Sequence, residues 1–238
     1  MEIIAHRGAS AYAPENTLAA FQKAYDLGSK YIEFDVMLSA DGEPFVIHDE
    51  ILTRTTNGNG RVVDANSNYL KSLDAGKWFA KAFQNEKIPH LQDIIFWCNQ
   101  MQMKANIELK PHPGQSVQIV TTVLPYIKQY WGHTHDMPLF SSFDFGTMRA
   151  CRKYDTNLNL GLLCNTWSQK HFALANELNC DSMHFNLLRI NAKRVQLIKE
   201  RHYKVFVYTV NNKKNAIKLL DYGVDAIYSD YPDLMSHV

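Results

Sequence analysis

Histidine, arginine, glutamate, aspartate and lysine recur in this chain at one kind of place, just after or within the end of a short apolar run. The segments are Ala5-His6-Arg7-Gly8, Glu33-Phe34-Asp35, His48-Asp49 and Glu108-Leu109-Lys110. Imidazoles titrate near neutrality and can give or take a proton at working pH. Carboxylates gathered away from water need a compensating cation, and an all-oxygen donor set favours Mg2+ or Ca2+, with Mn2+ admissible, over Zn2+. Arginine grips phosphate oxygens with its fork and lysine with a point charge. The set suits one divalent metal held beside a phosphate ester, with protons moved around it. On this reading His6 and His48 are acid and base, Glu33, Asp35 and Glu108 are metal ligands, and Arg7 and Lys110 contact phosphate. Two rival readings remain: a salt-bridge network among Glu33, Asp35, Arg7 and Lys110, and a zinc or two-metal site with histidine ligands.

The charges of three carboxylates, two cations, a dication and a phosphodiester cancel. Without the metal and the substrate the site is near neutral, so the metal is expected to be needed for substrate affinity as well as rate. The remaining polar residues carry less. Glu15 reads as a helix N-terminal acid that complements the dipole. Asp49 either orients His48 or caps the segment that follows. His90, His112, His133, His135, His171, His184, His202 and His237 read as surface or packing residues.

Strand-like and helix-like stretches alternate along the chain and set where these groups stand. Ile3–Ala5, Tyr31–Val36, Ala105–Leu109, Pro138–Phe140, Asn159–Leu163, Ser182–Phe185, Lys204–Tyr208 and Ala226–Tyr228 read as short strands. Thr17–Leu27, Leu91–Met103, Ser116–Tyr130, Phe145–Tyr154, Lys170–Leu178, Ala192–Arg201 and Lys213–Tyr222 are amphipathic and lie between most of them. Eight strands with helical crossovers predict a (β/α)8 TIM barrel in a single domain over residues 1–238. An open doubly wound sheet fits less well, because His6-Arg7-Gly8-Ala9 is not a dinucleotide-binding turn. Side chains alternate along a strand, so Glu33 and Asp35 share one face and Ile32, Phe34 and Val36 the other. The acidic face is expected inside the barrel. Asp41-Gly42 predicts a hairpin and an added antiparallel strand at Phe45–Ile47. An insertion of approximately 49–87 then folds over the mouth.

Net charge is +1 over 238 residues, which gives no global field for nucleic acid. No apolar run approaches the roughly eighteen residues that a membrane helix needs, so no membrane insertion is expected. Strand and motif begin at the N-terminus where a signal peptide would stand, and a soluble cytoplasmic protein is expected. Cys98, Cys151, Cys164 and Cys180 show no paired spacing and read as buried thiols. The sequence leaves a homo-oligomer open.

The order and spacing of His6-Arg7-Gly8, Pro14-Glu15-Asn16-Thr17, Glu33-x-Asp35, Asp41-Gly42 and His48-Asp49 resemble the glycerophosphodiester phosphodiesterases. The likeness continues through Leu52-x-Arg54-Thr55-Thr56-Asn57-Gly58, Asp74-Ala75-Gly76-x-Trp78, Ile88-Pro89-x-Leu91 and Asn106-Ile107-Glu108-Leu109-Lys110. Ser141-Ser142-Phe143, Tyr208-Thr209-Val210-Asn211 and Gly223-Val224-Asp225-Ala226-Ile227 extend it over nearly the whole chain, closest to the small cytosolic bacterial members. The resemblance implies a TIM barrel with a small region inserted after the second strand. It implies the same ligands, the same acid–base pair and the same phosphate contacts. It also implies a small-molecule substrate such as glycerophosphocholine or glycerophosphoethanolamine, split to sn-glycerol 3-phosphate and an alcohol. Tyr208 stands where many members carry tryptophan, as a wall for the alcohol. Two other functions compete: a phospholipase acting on lysolipids or inositol lipids, and a phosphodiester-binding barrel without catalysis.

Overall fold

The computed structural model describes residues 1–132 and 136–235. Its strands are β1 (Glu2–His6), β2 (Tyr31–Leu38), β3 (Pro44–Val46), β4 (Lys104–Leu109), β5 (Leu139–Ser142), β6 (Asn159–Cys164), β7 (Ser182–Asn186), β8 (Lys204–Tyr208) and β9 (Ala226–Ser229). β1 pairs in parallel with both β2 and β9, and this closes the sheet. Eight parallel strands, all but β3, form the barrel. β3 adds to its rim antiparallel to β2, with Val46 opposite Val36 and Pro44 opposite Leu38. It starts and ends one residue earlier than the sequence pattern predicts. Proline at its first residue is tolerated because no ladder N–H is needed there.

The helices are α1 (Leu18–Asp26), α2 (Ser67–Ser72), α3 (Leu91–Met101), α4 (Ser116–Tyr130), α5 (Phe145–Tyr154), α6 (Gln169–Glu177), α7 (Ala192–Lys199) and α8 (Lys213–Asp221). Thr17, Asp144, Ser168, Asn191 and Asn212 each accept a backbone N–H at a helix start, so the loops leaving the strands end at fixed points. That anchoring matters because those loops form the barrel's functional rim. Ile32, Phe34, Val36, Ile107 and Leu109 are buried against the helix layer. Their neighbours in the strands therefore face the barrel axis.

Ile4, Tyr31, Leu139, Phe206, Ala226 and Tyr228 pack inside the barrel. His184 lies fully buried among them and stacks on Phe206 at 4.7 Å. Its Nε2 lies 2.8 Å from Ser182 Oγ and its Nδ1 3.1 Å from Tyr228 OH. Burial pushes the imidazole down to about 3, so it is a neutral packing group. Gly161 makes room for it, since a Cβ there would stand 2.4 Å from the ring.

Residues 49–87 carry two short 3-10 turns and α2. They bury a separate apolar cluster of Leu52, Val62, Ala65, Leu70, Leu73 and Ala75 against Phe45, Ile47 and Ile88. Polar contacts tie the segment beside the barrel mouth. Arg54 reaches Glu15, Ala19 N–H donates to Glu86, and Glu50 meets His112 just beyond β4. His112 is thus paired with Glu50 and Arg61 rather than unpaired as the sequence suggests; the partners lie 62 and 51 residues away. Cys98, Cys151, Cys164 and Cys180 are buried free thiols. His133, His135 and His237 lie outside the described residues. Among the described residues no helix is long and apolar enough to cross a membrane.

Candidate active site

β1, β2 and β4 are neighbours, and their register brings the polar segments together. His6 is opposite Glu33, and Asp35 is opposite Glu108. One oxygen of each of Glu33, Asp35 and Glu108 lies within 4.8 Å of the others. Glu33 and Asp35 are almost wholly buried, and Glu108 is partly open to the mouth.

Arg7 leaves β1 in the left-handed region at φ 56°, followed by Gly8 at φ 82°. Such a conformation at a non-glycine residue costs on the order of 1–3 kcal/mol and persists only where the surroundings fix it. They do so here. Arg7 N–H donates to Glu33 Oε2 at 2.9 Å, and its Nη1 donates to Glu15 Oε1 at 2.8 Å. A Cβ on Gly8 would stand 2.7 Å from the Ala20 carbonyl carbon, so the turn requires glycine. Asn16, also left-handed, donates from Nδ2 to Asp35 Oδ2 at 2.8 Å and accepts the Asp35 N–H.

The cations stand close to the acids but do not satisfy them. Arg7 Nε lies 3.5 Å from Asp35 Oδ2, and Lys110 Nζ lies 3.5 Å from Asp35 Oδ1 and 3.9 Å from Glu108 Oε1. These separations exceed ordinary hydrogen-bond lengths. Asp35 Oδ1 and Arg7 Nε are buried without a hydrogen-bond partner. Burial opposes ionisation of Asp35, but Lys110, Arg7, His48 and Asn16 outweigh it and hold the carboxyl below its usual range. Burial and the neighbouring Asp35 charge push Glu108 up to about 8, and burial with Asp35 and Glu108 raises Glu33 well above the usual glutamate range. Burial alone would lower Arg7, yet Asp35, Glu15 and Glu33 raise it. A salt-bridge network by itself therefore leaves one carboxylate oxygen orphaned and two glutamates strained. Three converging oxygens with an orphaned acceptor fit a hard divalent cation.

Each imidazole has a carboxylate behind it. His6 Nδ1 lies 2.7 Å from Asp230 Oδ1, and His48 Nδ1 lies 2.6 Å from Asp49 Oδ1. An ionised carboxylate only accepts, so Nδ1 carries the proton and Nε2 is left for exchange. Burial opposes the Asp230 charge, but His6, Asn211 and Ser10 hold it below its usual range. Arg54 above all holds Asp49 down to about 2. Burial lowers His48, against the opposing pull of Asp35. His48 follows Ile47, whose N–H donates to the Asp35 carbonyl at 3.0 Å, so the imidazole is fixed next to β2.

A cleft of about 430 Å3 opens beside Glu108 and Lys110 and is bounded by His112, Ser142, Phe143 and Asp144. Phe143 is shared with a second cleft of about 580 Å3, lined also by Asn165, Asn186, Leu188, Arg189 and Tyr208. Tyr208 meets Phe143 edge to face at 5.9 Å and donates its hydroxyl to the Cys164 carbonyl at 3.1 Å. Its ring is a wall of this second cleft.

Glu15 corrects the sequence reading. α1 begins at Leu18 under a Thr17 cap and has no acid in its first turn. The Glu15 carboxylate instead clamps Arg7 and Arg54. Asp230 and Ser10 also escaped the sequence reading, and Asn16, Arg54 and Asn211 entered it only as motif residues with no role assigned. Asp230 directly follows β9, and a carboxylate just past a barrel strand is the signal that points to it.

A family model described as the glycerophosphoryl diester phosphodiesterase family matches residues 6–234. A glycerophosphodiester phosphodiesterase of Caldanaerobacter subterraneus is 36% identical, over 98% of this chain and 95% of the relative. One of Bacillus altitudinis is 32% identical, over 98% of this chain and 95% of its own length. The structure of an Oleispira antarctica phosphodiesterase in complex with the product sn-glycerol-3-phosphate superposes with a TM-score of 0.96. It is 36% identical and covers 99% of this chain and 95% of that chain. Similarity that runs end to end, on a closed βα barrel, places the chain in the class of phosphoric diester hydrolases. Within that class it belongs to the glycerophosphoryl diester phosphodiesterase family.

Proposed function

We propose that this chain hydrolyses glycerophosphodiesters to sn-glycerol 3-phosphate and an alcohol, with His6 and His48 as the proton carriers. The observation that carries the reading is the symmetry of the two imidazoles. His6 ends β1 and His48 follows β3, each has Nδ1 held by an aspartate, His6 stands opposite Glu33 in the β1–β2 register, and the charge of His48 acts on Asp35. A protein that only bound a phosphodiester would have no use for two oriented proton carriers. The product named for the Oleispira antarctica structure agrees with this substrate class.

Glu33, Asp35 and Glu108 would hold one divalent cation, Mg2+ or Ca2+ by donor type, which supplies positive charge to the phosphoryl oxygens when bound. Arg7 and Lys110 contribute the protein's own charges to those oxygens. One histidine takes the proton of the glycerol hydroxyl next to the ester through Nε2. That oxygen bonds to phosphorus, and the bond from phosphorus to the alcohol breaks. The other histidine gives the departing oxygen its proton. The histidines then exchange roles as water opens the cyclic phosphate. The second cleft, with Phe143 and Tyr208 as walls, accommodates the alcohol. The single domain, the residue roles and a cytoplasmic setting belong to this proposal.

The test is a panel of glycerophosphodiesters with and without EDTA, with released sn-glycerol 3-phosphate coupled to a dehydrogenase. Metal-dependent release across several head groups is expected. His6→Ala and His48→Ala should each lose roughly 10²–10⁴-fold in rate. Unchanged turnover in either variant removes that residue from the mechanism. Normal turnover of the deoxy analogue lacking the glycerol hydroxyl would replace internal attack with direct attack by water.

A further inference from the structure

One guanidinium in the 49–87 segment touches the supports of both functional groups. Arg54 donates from Nη1 to Glu15 Oε2 and from Nη2 to Glu15 Oε1, both at 2.7 Å, and from Nε to Asp49 Oδ2. The other oxygen of Asp49 holds His48 Nδ1 at 2.6 Å. Glu15 Oε1 also accepts from Arg7 Nη1 at 2.8 Å. His48, Asp49, Arg54, Glu15 and Arg7 therefore form an unbroken chain of contacts from a proton carrier to a phosphate-binding cation. We propose that Arg54 is a positioning residue that couples the inserted segment to catalysis, fixing His48 through Asp49 and Arg7 through Glu15.

Geometry separates this arrangement from an ordinary surface ion pair. An exposed pair is worth little and leaves both partners free to reorient. Here the Arg54 donors divide between two carboxylates, and each carboxylate is already committed to a site residue. Nε, Nη1 and Nη2 each give a hydrogen bond to those acids, so the 44% exposed guanidinium is held by the two supports of His48 and Arg7. The planar fork is needed, because a lysine ammonium at the end of a flexible stem cannot hold one carboxylate bidentately and a second one side-on. Arg54 also belongs to the inserted segment, whose own apolar cluster fixes Leu52 two residues earlier. The insertion thereby has a direct physical means of governing the barrel's active rim.

The inference rests on the proposed roles of His48 and Arg7, and the experiment separates the two. Steady-state kinetics on glycerophosphodiesters are measured for Arg54→Gln, Arg54→Lys, Asp49→Asn, Glu15→Gln and the combined variants. Arg54→Gln should lower kcat/KM by about 10–100-fold, on the scale seen when a partner that orients a metal ligand is lost. Arg54→Lys should lose nearly as much although it keeps the charge and most of the stem, and it reports even if Arg54→Gln folds poorly. Asp49→Asn should act mainly on kcat and Glu15→Gln mainly on KM. Adding Arg54→Gln to the Asp49→Asn/Glu15→Gln background should cost less than about twofold, because its partners have already gone. In an Arg54→Ala variant made for this purpose, added guanidinium ion should restore part of the lost activity. An Arg54→Lys enzyme within about twofold of the parent would overturn the inference, as would an undiminished Arg54→Gln penalty in the double background. Full activity of His48→Ala would instead overturn the reading of the site beneath it.

Discussion

Replacing Glu108 by glutamine is expected to make the metal-free protein more stable. In the folded chain burial and Asp35 push this carboxyl up to about 8, against 4.5 in an unfolded chain. The folded state therefore holds the proton more tightly than the unfolded state. That stabilisation is complete below about pH 4.5 and is lost as pH rises toward 8. Each pH unit across that interval costs about 1.4 kcal/mol, which sets a ceiling of about 5 kcal/mol at pH 8. The 14% of the side chain that is open to the cleft lets water screen part of this. What remains is on the order of a few kcal/mol, and in a domain of this size that corresponds to a rise of several °C in Tm. Thermal unfolding in EDTA should therefore put Glu108→Gln about that far above the parent at pH 8, with little difference at pH 5. Divalent cation should raise the parent's Tm at pH 8 and raise that of the variant much less, since one of three ligands has gone. A variant less stable than the parent in EDTA at pH 8 would refute the reasoning, because the trio would then carry no strain for a cation to relieve. An equal difference at both pH values would do the same.

Asp230→Asn keeps the shape behind His6 but removes the charge that fixes its tautomer, so kcat should fall by about 10²-fold or more while the metal titration stays unchanged; turnover within a few-fold of the parent would remove Asp230 from that task. His184→Phe strips the partners from Tyr228 and Ser182, and unfolding at neutral pH should show a loss of about 1–3 kcal/mol. The same variant tests the pH dependence. His184 is held down to about 3 in the fold, so the unfolded chain binds its proton first and the parent loses stability as pH falls below about 6.5. Unfolding between pH 6.5 and 4 should be less steep in His184→Phe, and an unaltered slope would mean that this imidazole does not contribute to acid sensitivity.

Alternation along single strands made much of the barrel legible. Glu33 and Asp35 on one side of β2, with Phe34 and Val36 on the other, already specify which face is polar, because side chains in a strand have a period of two. Glu108 on β4 and Lys110 just past its end repeat the pattern. Asp41-Gly42 announced β3 because a tight hairpin turn demands such residues, and the one-residue offset reflects pairing that only the partner strand decides. Glu15 shows the opposite case. An acid near a helix start has a local explanation, and that explanation failed because Arg7 and Arg54 compete for the carboxylate from elsewhere in the chain.

The sequence by itself determined the element types, the apolar and polar faces of each strand, and the chemical kinds gathered at the strand ends, because these follow from local periodicity and side-chain chemistry. Only the tertiary structure decided who orients whom. His6 and Asp230 are 224 residues apart, and they meet because closure of the sheet lays β9 against β1. Arg54 meets Glu15 across 39 residues because the inserted segment docks beside α1. No local pattern encodes such pairs, since the partners come within hydrogen-bond reach only after the barrel has closed and the inserted segment has docked.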